Sequence, residues 1–190
     1  MRKIGLIGGT FDPPHLGHLV IAEEAREACH LDEVWFLPSY IPPHKDRLVT
    51  DSDHRIAMVD RAIKGNPLFK LSLIEIKRKG RSYTYDTLYE LKRRYPEDEF
   101  YFILGADMVN DLPNWYKIDE LAKLTSFIGF KRPGYTFKQP EEVTIIPVDM
   151  PQIDISSSMI RKRINQHRSV RYFLCESVKE YIEEKGLYED

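Results

Sequence analysis

The run Gly8-Gly9-Thr10-Phe11-Asp12-Pro13-Pro14-His15-Leu16-Gly17-His18 limits what this chain can fold into more than any other stretch. An apolar run, Ile4 to Ile7, precedes it and reads as a buried strand. The amphipathic pattern from Leu19 to His30 follows it and reads as a helix. Two glycines let the backbone turn sharply and approach a ligand closely. The two histidines, three residues apart, share one face of the first helical turn. Free N–H groups and the positive end of the helix dipole suit such a turn to phosphate. The imidazoles make it a site that handles phosphate. Plainer readings exist: a glycine pair follows strands in many α/β proteins, and histidines can simply open a helix. The order Asp-x2-His-x2-His also has the spacing of a metal site.

The rest of the chain repeats the alternation of strand and helix, which predicts a mainly parallel sheet covered on both faces. The strands expected are Lys3–Ile7, Glu33–Pro38, Lys70–Ile76, Phe100–Leu104, Ser126–Lys131 and Val143–Val148. The helices expected are His15–His30, Asp51–Lys64, Tyr85–Tyr95, Lys117–Lys123, Ser157–Gln166 and Glu176–Glu184. Asp51 and Thr84 suit N-caps, and Gly65 and Gly186 suit helix stops. The expected fold is α/β, Rossmann-like and doubly wound. In such sheets ligands bind outside the carboxyl ends of the strands. Tyr40–Lys45 and Arg132–Gly134, both proline-interrupted loops near strand ends, are therefore places to look.

A length of 190 residues predicts one domain, 1–190, with a helical C-terminal portion from about 156. A net charge of −2 argues against a general nucleic-acid binder. Cys29 and Cys175 are the only cysteines; they suit a reducing compartment and cannot build a zinc cluster. No signal pattern opens the sequence and no segment has the length of a membrane span, so the cytoplasm is expected and no membrane partner is. His30, His54 and His167 show no partner in the sequence and read as surface or helix-end residues, and the Glu180–Lys185 charge run reads as a solvated face.

A second chemical element stands near the C-terminus: Ile155-Ser156-Ser157-Ser158-Met159-Ile160-Arg161-Lys162-Arg163. Three serines ahead of a helical pattern are an N-cap signal, and a capped basic surface helix would look the same. As a site it offers hydroxyls, free N–H groups and an arginine one turn in, which together suit a second phosphate.

Together the two elements resemble the Gly-x4-His-x-Gly-His and Ile-Ser-Ser-x-x-Ile-Arg signatures of the nucleotidyltransferase superfamily. The form GGTFDPPHLGH is similar to the bacterial nicotinate-mononucleotide adenylyltransferase branch. The resemblance runs through Pro42-Pro43-His44-Lys45, Ser82-Tyr83-Thr84-Tyr85-Asp86-Thr87-Leu88, Gly105-Ala106-Asp107, Asn114-Trp115 and Arg132-Pro133-Gly134. Where the family most often has threonine, Ser158 keeps the hydroxyl. The resemblance implies the nucleotidyltransferase form of the fold, with ATP and nicotinate mononucleotide as partners and AMP transfer as the reaction. His15, His18, Lys45 and Arg161 would be the catalytic groups. ATP would meet Gly8, Gly9, Thr10, Phe11, His18, Gly105, Asp107, Ile155, Ser157, Ser158 and Arg161. The acceptor would meet Asp12, Lys45, Thr84, Tyr85, Trp115, Tyr116 and Arg132. Mg2+ would be held by phosphates and water, with no protein ligands. A homodimer is left open.

The residues keep their plainer readings beside these. Lys45 can be an exposed loop lysine, Trp115 can cover the core edge, and Asp12 can order its loop or a magnesium-bound water. A same-fold alternative uses nicotinamide mononucleotide or phosphopantetheine as acceptor. A different class is a nucleotide-binding regulatory module without turnover, against which the intact His15, His18 and Arg161 count.

Overall fold

The structure is a computed structural model that describes residues 1–42, 50–131, 143–151 and 153–189. Among the described residues, six strands form one sheet in the order β3-β2-β1-β4-β5-β6, every pair parallel. The strands are β1 (Lys3–Gly9), β2 (Glu33–Pro38), β3 (Phe69–Leu71), β4 (Glu99–Leu104), β5 (Ser126–Lys131) and β6 (Ile145–Asp149). The helices are α1 (Leu16–Ala28), α2 (Ser52–Ile63), α3 (Ile74–Arg78), α4 (Thr84–Arg94), α5 (Ala106–Asp111), α6 (Ile118–Leu121), α7 (Ser157–Asn165) and α8 (Glu176–Lys185).

Parallel strands buried on both faces read as continuous apolar runs, and these do. The alternation within each run then divides two cores. Ile4, Leu6, Trp35, Leu37, Phe100, Phe102, Leu104 and Phe127 face α4, where Leu88 and Leu91 meet them. Val34, Phe36, Ile103, Ile128 and Phe130 face α1 and α2, where Ala22, Ala25, Val59 and Ile63 meet them. A third cluster joins Met58 of α2 to Ile160 of α7 and to Val178, Tyr181 and Ile182 of α8. That cluster seats the second sequence element beside the sheet.

Strand order reverses between β1 and β4, which opens a crevice at their carboxyl ends. The exit of β1 carries the histidine run and the exit of β4 carries Gly105.

Several boundaries differ from the sequence reading. The strand expected over Lys70–Ile76 divides into β3 and the short helix α3. Pairing with β2 ends at Leu71; Ser72 N–H still reaches the Phe36 carbonyl, and Lys77 N–H then closes a turn on Leu73. A short apolar run fits either period, and here burial of Ile74 and Glu75 selects the helix. Helix α1 begins at Leu16, so His15 is its N-cap and lies outside its first turn. The N-cap of α4 is Tyr83, and Thr84 is its first helical residue. Helix α5 and the 3-10 turn Leu112–Asn114 fill a stretch that the sequence reading left without structure. Asp51 does cap α2, accepting from Asp53 N–H at 3.0 Å. Gly186 closes α8 in the left-handed region at φ 58°.

Candidate active site

The β1–α1 turn is built around three tight approaches. A Cβ on Gly9 would stand 3.1 Å from the ring of Phe11, and one on Gly8 would stand 3.1 Å from the ring of Phe102. A Cβ on Gly17 would stand 3.0 Å from the His15 ring, so this glycine gives that imidazole its place. Phe11 takes a left-handed φ of 52°, which folds its buried ring back over the turn and edge-on to His18, 5.0 Å between centroids.

His15 and His18 lie together, their rings stacked at 3.7 Å. The Nδ1 of His18 accepts the His15 backbone N–H at 3.1 Å. The proton of the neutral His18 ring therefore sits on Nε2, where it can be donated. His15 is buried, and desolvation holds its pKa down to about 4, so it is neutral at pH 7. Its Nδ1 is buried with no hydrogen-bond partner among the described residues. Not all the helix-start donors are free: Leu16 N–H goes to the Phe173 carbonyl and His18 N–H to the His15 carbonyl, each at 3.0 Å.

The second element closes onto this turn. The Arg161 guanidinium donates to the Asp12 carbonyl at 2.6 Å and to the Ser158 hydroxyl at 3.2 Å. Ser157 hydroxyl donates to the Pro13 carbonyl at 2.8 Å. Ser156 is the N-cap of α7, accepting from Met159 N–H. Ile155 packs beneath, in the cluster that holds α7 and α8.

Asp12 is only 4% exposed, and both its oxygens are engaged. One accepts from the Tyr188 hydroxyl at 2.6 Å and the other from Thr50 N–H at 3.3 Å. Of the two roles open to it, this arrangement favours ordering the loop. Burial and the Asp12 carboxylate push the Tyr188 phenol far up, so it stays a donor.

Two residues that matter here were missed in the sequence. Arg55, 1% exposed on α2, spreads its guanidinium over the carbonyls of Thr10, Ser39, Tyr40 and Thr50. It thereby ties the exits of β1 and β2 to the start of α2. Nothing in an amphipathic helical pattern marks one arginine as buried. Tyr188, beyond the last helix, gives no local signal either. His54 also differs from expectation, since its Nδ1 lies 2.9 Å from the Tyr181 hydroxyl.

On the far side of the crevice, Gly105 is the N-cap of α5, and a Cβ there would meet nothing within 4 Å among the described residues. Asp107 is exposed in the first turn of α5. Trp115 is half-buried, edge-on to Phe102 and Phe127 at 5.9 and 6.3 Å. Phe102 also abuts Gly8, so it joins the two sides. Tyr116 lies tilted against Tyr83 at 4.7 Å and edge-on to Tyr85 at 6.1 Å, which brings its loop to the start of α4. Tyr83 supplies no side-chain cap, so the first turn of α4 presents N–H groups without one. Lys45 and Arg132 lie outside the described residues. Among the described residues no group of three or more His, Cys, Asp or Glu is placed to hold a metal ion. No helix among them is long and apolar enough to cross a membrane.

Residues 6–163 match the family model described as cytidylyltransferase-like. The chain is 53% identical over 189 residues to a probable nicotinate-nucleotide adenylyltransferase of Geobacillus thermodenitrificans, covering 99% of this chain and 87% of that one. It is 51% identical over 190 residues to the nicotinate-nucleotide adenylyltransferase of Bacillus subtilis, covering all of both chains. The fold matches a solved structure of Plasmodium falciparum nicotinic acid mononucleotide adenylyltransferase complexed with NaAD, at a TM-score of 0.81 and 24% identity. That match covers all of this chain and 98% of the other.

Proposed function

This chain belongs to the cytidylyltransferase-like family, within its nicotinate-nucleotide adenylyltransferases, and from that premise we propose how its crevice works. The reaction transfers AMP from ATP to the 5′-phosphate of nicotinate mononucleotide, giving nicotinate adenine dinucleotide and pyrophosphate in NAD biosynthesis. A phosphate oxygen of the acceptor attacks the α-phosphorus. The bond from that phosphorus to the bridging oxygen breaks, and its electron pair leaves on pyrophosphate. The nucleophile is already an anion, so no protein nucleophile is needed. The protein aligns two anions that repel each other and stabilises charge on the leaving group.

The observation that carries this reading is the closure of α7 onto the histidine turn through Arg161 and Ser157. It puts a guanidinium and a hydroxyl-rich helix start beside His15 and His18. In this reading His18 Nε2–H and His15 meet the α-phosphate, while Arg161 and the Ser157–Ser158 turn hold the β- and γ-phosphates. Gly8, Gly9, Thr10, Phe11, Gly105, Asp107 and Ile155 line the remainder of the ATP site. Lys45 neutralises phosphate charge during transfer. Trp115 offers an indole face to the cationic pyridinium ring. Backbone N–H groups at Thr84–Tyr85 and Tyr116 receive its carboxylate, and Arg132 completes the acceptor side. Mg2+ would be held mainly by the ATP phosphates and water and would supply charge neutralisation there. Residues 1–190 act as one domain, and the cytoplasm is the proposed compartment.

The test is kcat/KM for nicotinate and nicotinamide mononucleotides, read as pyrophosphate release by one preparation. Donors aimed at a carboxylate leave the amide's NH2 facing donors, which costs about 1–3 kcal/mol. The acid is therefore expected to lead by about one to two decades. Equal values, or faster use of the amide, overturn the acceptor assignment.

A further inference from the structure

Behind the start of α4 lies a buried polar cluster that the reaction as described does not use. Glu75, on α3, is 5% exposed, and Ser82 and Thr87 beside it are buried as well. Thr87 hydroxyl donates to the Glu75 carboxylate at 2.8 Å, and Ser82 hydroxyl is its second hydrogen-bond partner. Ser82 Oγ also accepts Tyr40 N–H at 3.0 Å, which ties the cluster to the exit of β2. The Arg78 guanidinium donates to Thr87 Oγ at 2.9 Å. Glu75 thus grips both flanks of Tyr83-Thr84-Tyr85: Ser82 just before it, and Thr87 one turn into the helix.

We infer that Glu75 is a positioning residue for the acceptor, holding the first turn of α4 so that its N–H groups select a carboxylate. The inference rests on the acceptor site proposed above. Three observations lead to it. Tyr83 gives the helix start no side-chain cap, so no capping bond from Tyr83 fixes those donors. Behind the turn, two hydroxyls converge on one buried carboxylate. A carboxylate is also costly to bury unless hydrogen-bonded, and an apolar residue would fill this place more simply if packing were its only task. Geometry of donors matters most to the ligand that uses them all. Loosening the turn harms binding of the acid and leaves the amide, which pairs poorly there, nearly unaffected.

Glu75→Ala, Glu75→Gln and Ser82→Ala are compared with wild type in kinetics with ATP and each mononucleotide, well below each variant's Tm. Glu75→Ala is expected to raise KM for nicotinate mononucleotide about tenfold or more, the scale of one misaligned buried hydrogen bond. KM for ATP is expected to stay within about twofold, and the acid-to-amide ratio of kcat/KM to fall by a similar tenfold. Glu75→Gln keeps an acceptor for Thr87 and recovers most of the ratio; Ser82→Ala shifts it in the same direction by less. A lower Tm with an unchanged ratio, or equal losses on ATP and both acceptors, overturns the inference. If Glu75→Ala does not fold, the ratio in Glu75→Gln and Ser82→Ala decides: no fall in Ser82→Ala overturns it. Wild-type enzyme that uses both mononucleotides equally overturns the acceptor assignment instead, and the split between acceptor KM and ATP KM then decides the positioning role.

Discussion

At the exit of β1, backbone and side chains are held from several sides at once: Arg55 takes four carbonyls, Asp12 accepts from Tyr188 and Thr50, and Arg161 returns from α7 to the same loop. At the start of α4 the cap is a tyrosine with no capping bond, Tyr116 is 46% exposed, and Lys117 lies over the Tyr85 ring at 4.5 Å. The β1 exit is fixed by polar bonds in a buried frame, whereas the start of α4 presents aromatic surfaces near water and keeps its buried polar support behind it, at Glu75. The difference fits what each is proposed to bind. A triphosphate undergoing bond cleavage changes its charge distribution, and only donors fixed beforehand stabilise that change without reorganising. A flat cationic ring asks for a face and a few donors at one end, and its charge does not change in the reaction.

The contrast predicts where substitutions act on rate and where they act on affinity. His18→Ala should give the largest effect on turnover, a loss of about 100-fold or more, as for removal of a single preorganised donor. ATP affinity should move far less, since Arg161 and the α7 start remain. Steady-state kinetics with an ATP titration read both quantities. Near-normal turnover in the variant would remove His18 from the mechanism and collapse the distinction between the two sides.

Each side also buries a group whose pKa is shifted by desolvation, His15 and Glu75, and the two shifts run in opposite directions. His15 has its folded pKa lowered from 6.5 to about 4 by desolvation. The unfolded chain therefore takes up a proton that the folded one refuses as pH falls below 6.5. Its stabilising effect is complete above that pH and is lost toward pH 4, by about 2 kcal/mol between pH 7 and 5. Glu75 has its pKa raised, chiefly by burial. Its contribution is complete below the ordinary glutamate range and is lost as pH rises through the folded value. Denaturant unfolding from pH 7 to 5 should therefore show a smaller loss of stability in His15→Asn than in wild type. Glu75→Gln should lack the opposite trend, the gain that wild type makes as pH falls through the folded Glu75 value toward the ordinary glutamate range. A His15→Asn slope equal to that of wild type would show that His15 does not carry this pH dependence.

The side built from local pattern is also the side the sequence made legible. Glycines, histidines and the serine–arginine run each lie within one short window, so they could be singled out together as a phosphate-site expectation, and the structure packs Gly17 directly against the His15 ring. The parallel sheet covered on both faces followed from apolar runs alternating with helical periods; the strand order did not. What escaped was long-range. Arg55 looks like any helix-surface arginine until its carbonyl partners from separate strand exits are brought to it. Tyr188 meets Asp12 from 176 residues away. Helix α3 reads as strand in the sequence because five residues are too few for period to decide. On the acceptor side only resemblance named Trp115 and Tyr116, since an aromatic pair in a loop has no spacing that separates a ligand face from a core cover.

Trp115 is where that ambiguity can be sharpened, and where the smallest effect is expected. Its edge contacts with Phe102 and Phe127 make it part of the core margin, yet it remains half-buried and keeps surface for a ligand. Both roles are compatible, and they separate in what a substitution changes. Loss of the indole face removes a cation–π contact of about 0.5–2 kcal/mol, or roughly a few-fold to thirtyfold in affinity. Both mononucleotides carry the cationic ring, so both should lose by the same factor and the acid-to-amide preference should survive. ATP KM should stay near wild type, because the phosphate side is held by bonds that do not pass through Trp115. Trp115→Phe keeps an aromatic face with a weaker quadrupole and should fall between wild type and Trp115→Ala. A pure core cover predicts otherwise: a lower Tm, with KM for both acceptors unchanged below it. A change in the acid-to-amide ratio would move discrimination from the backbone donors of α4 to the indole, and the acceptor side would then be as tightly specified as the phosphate side.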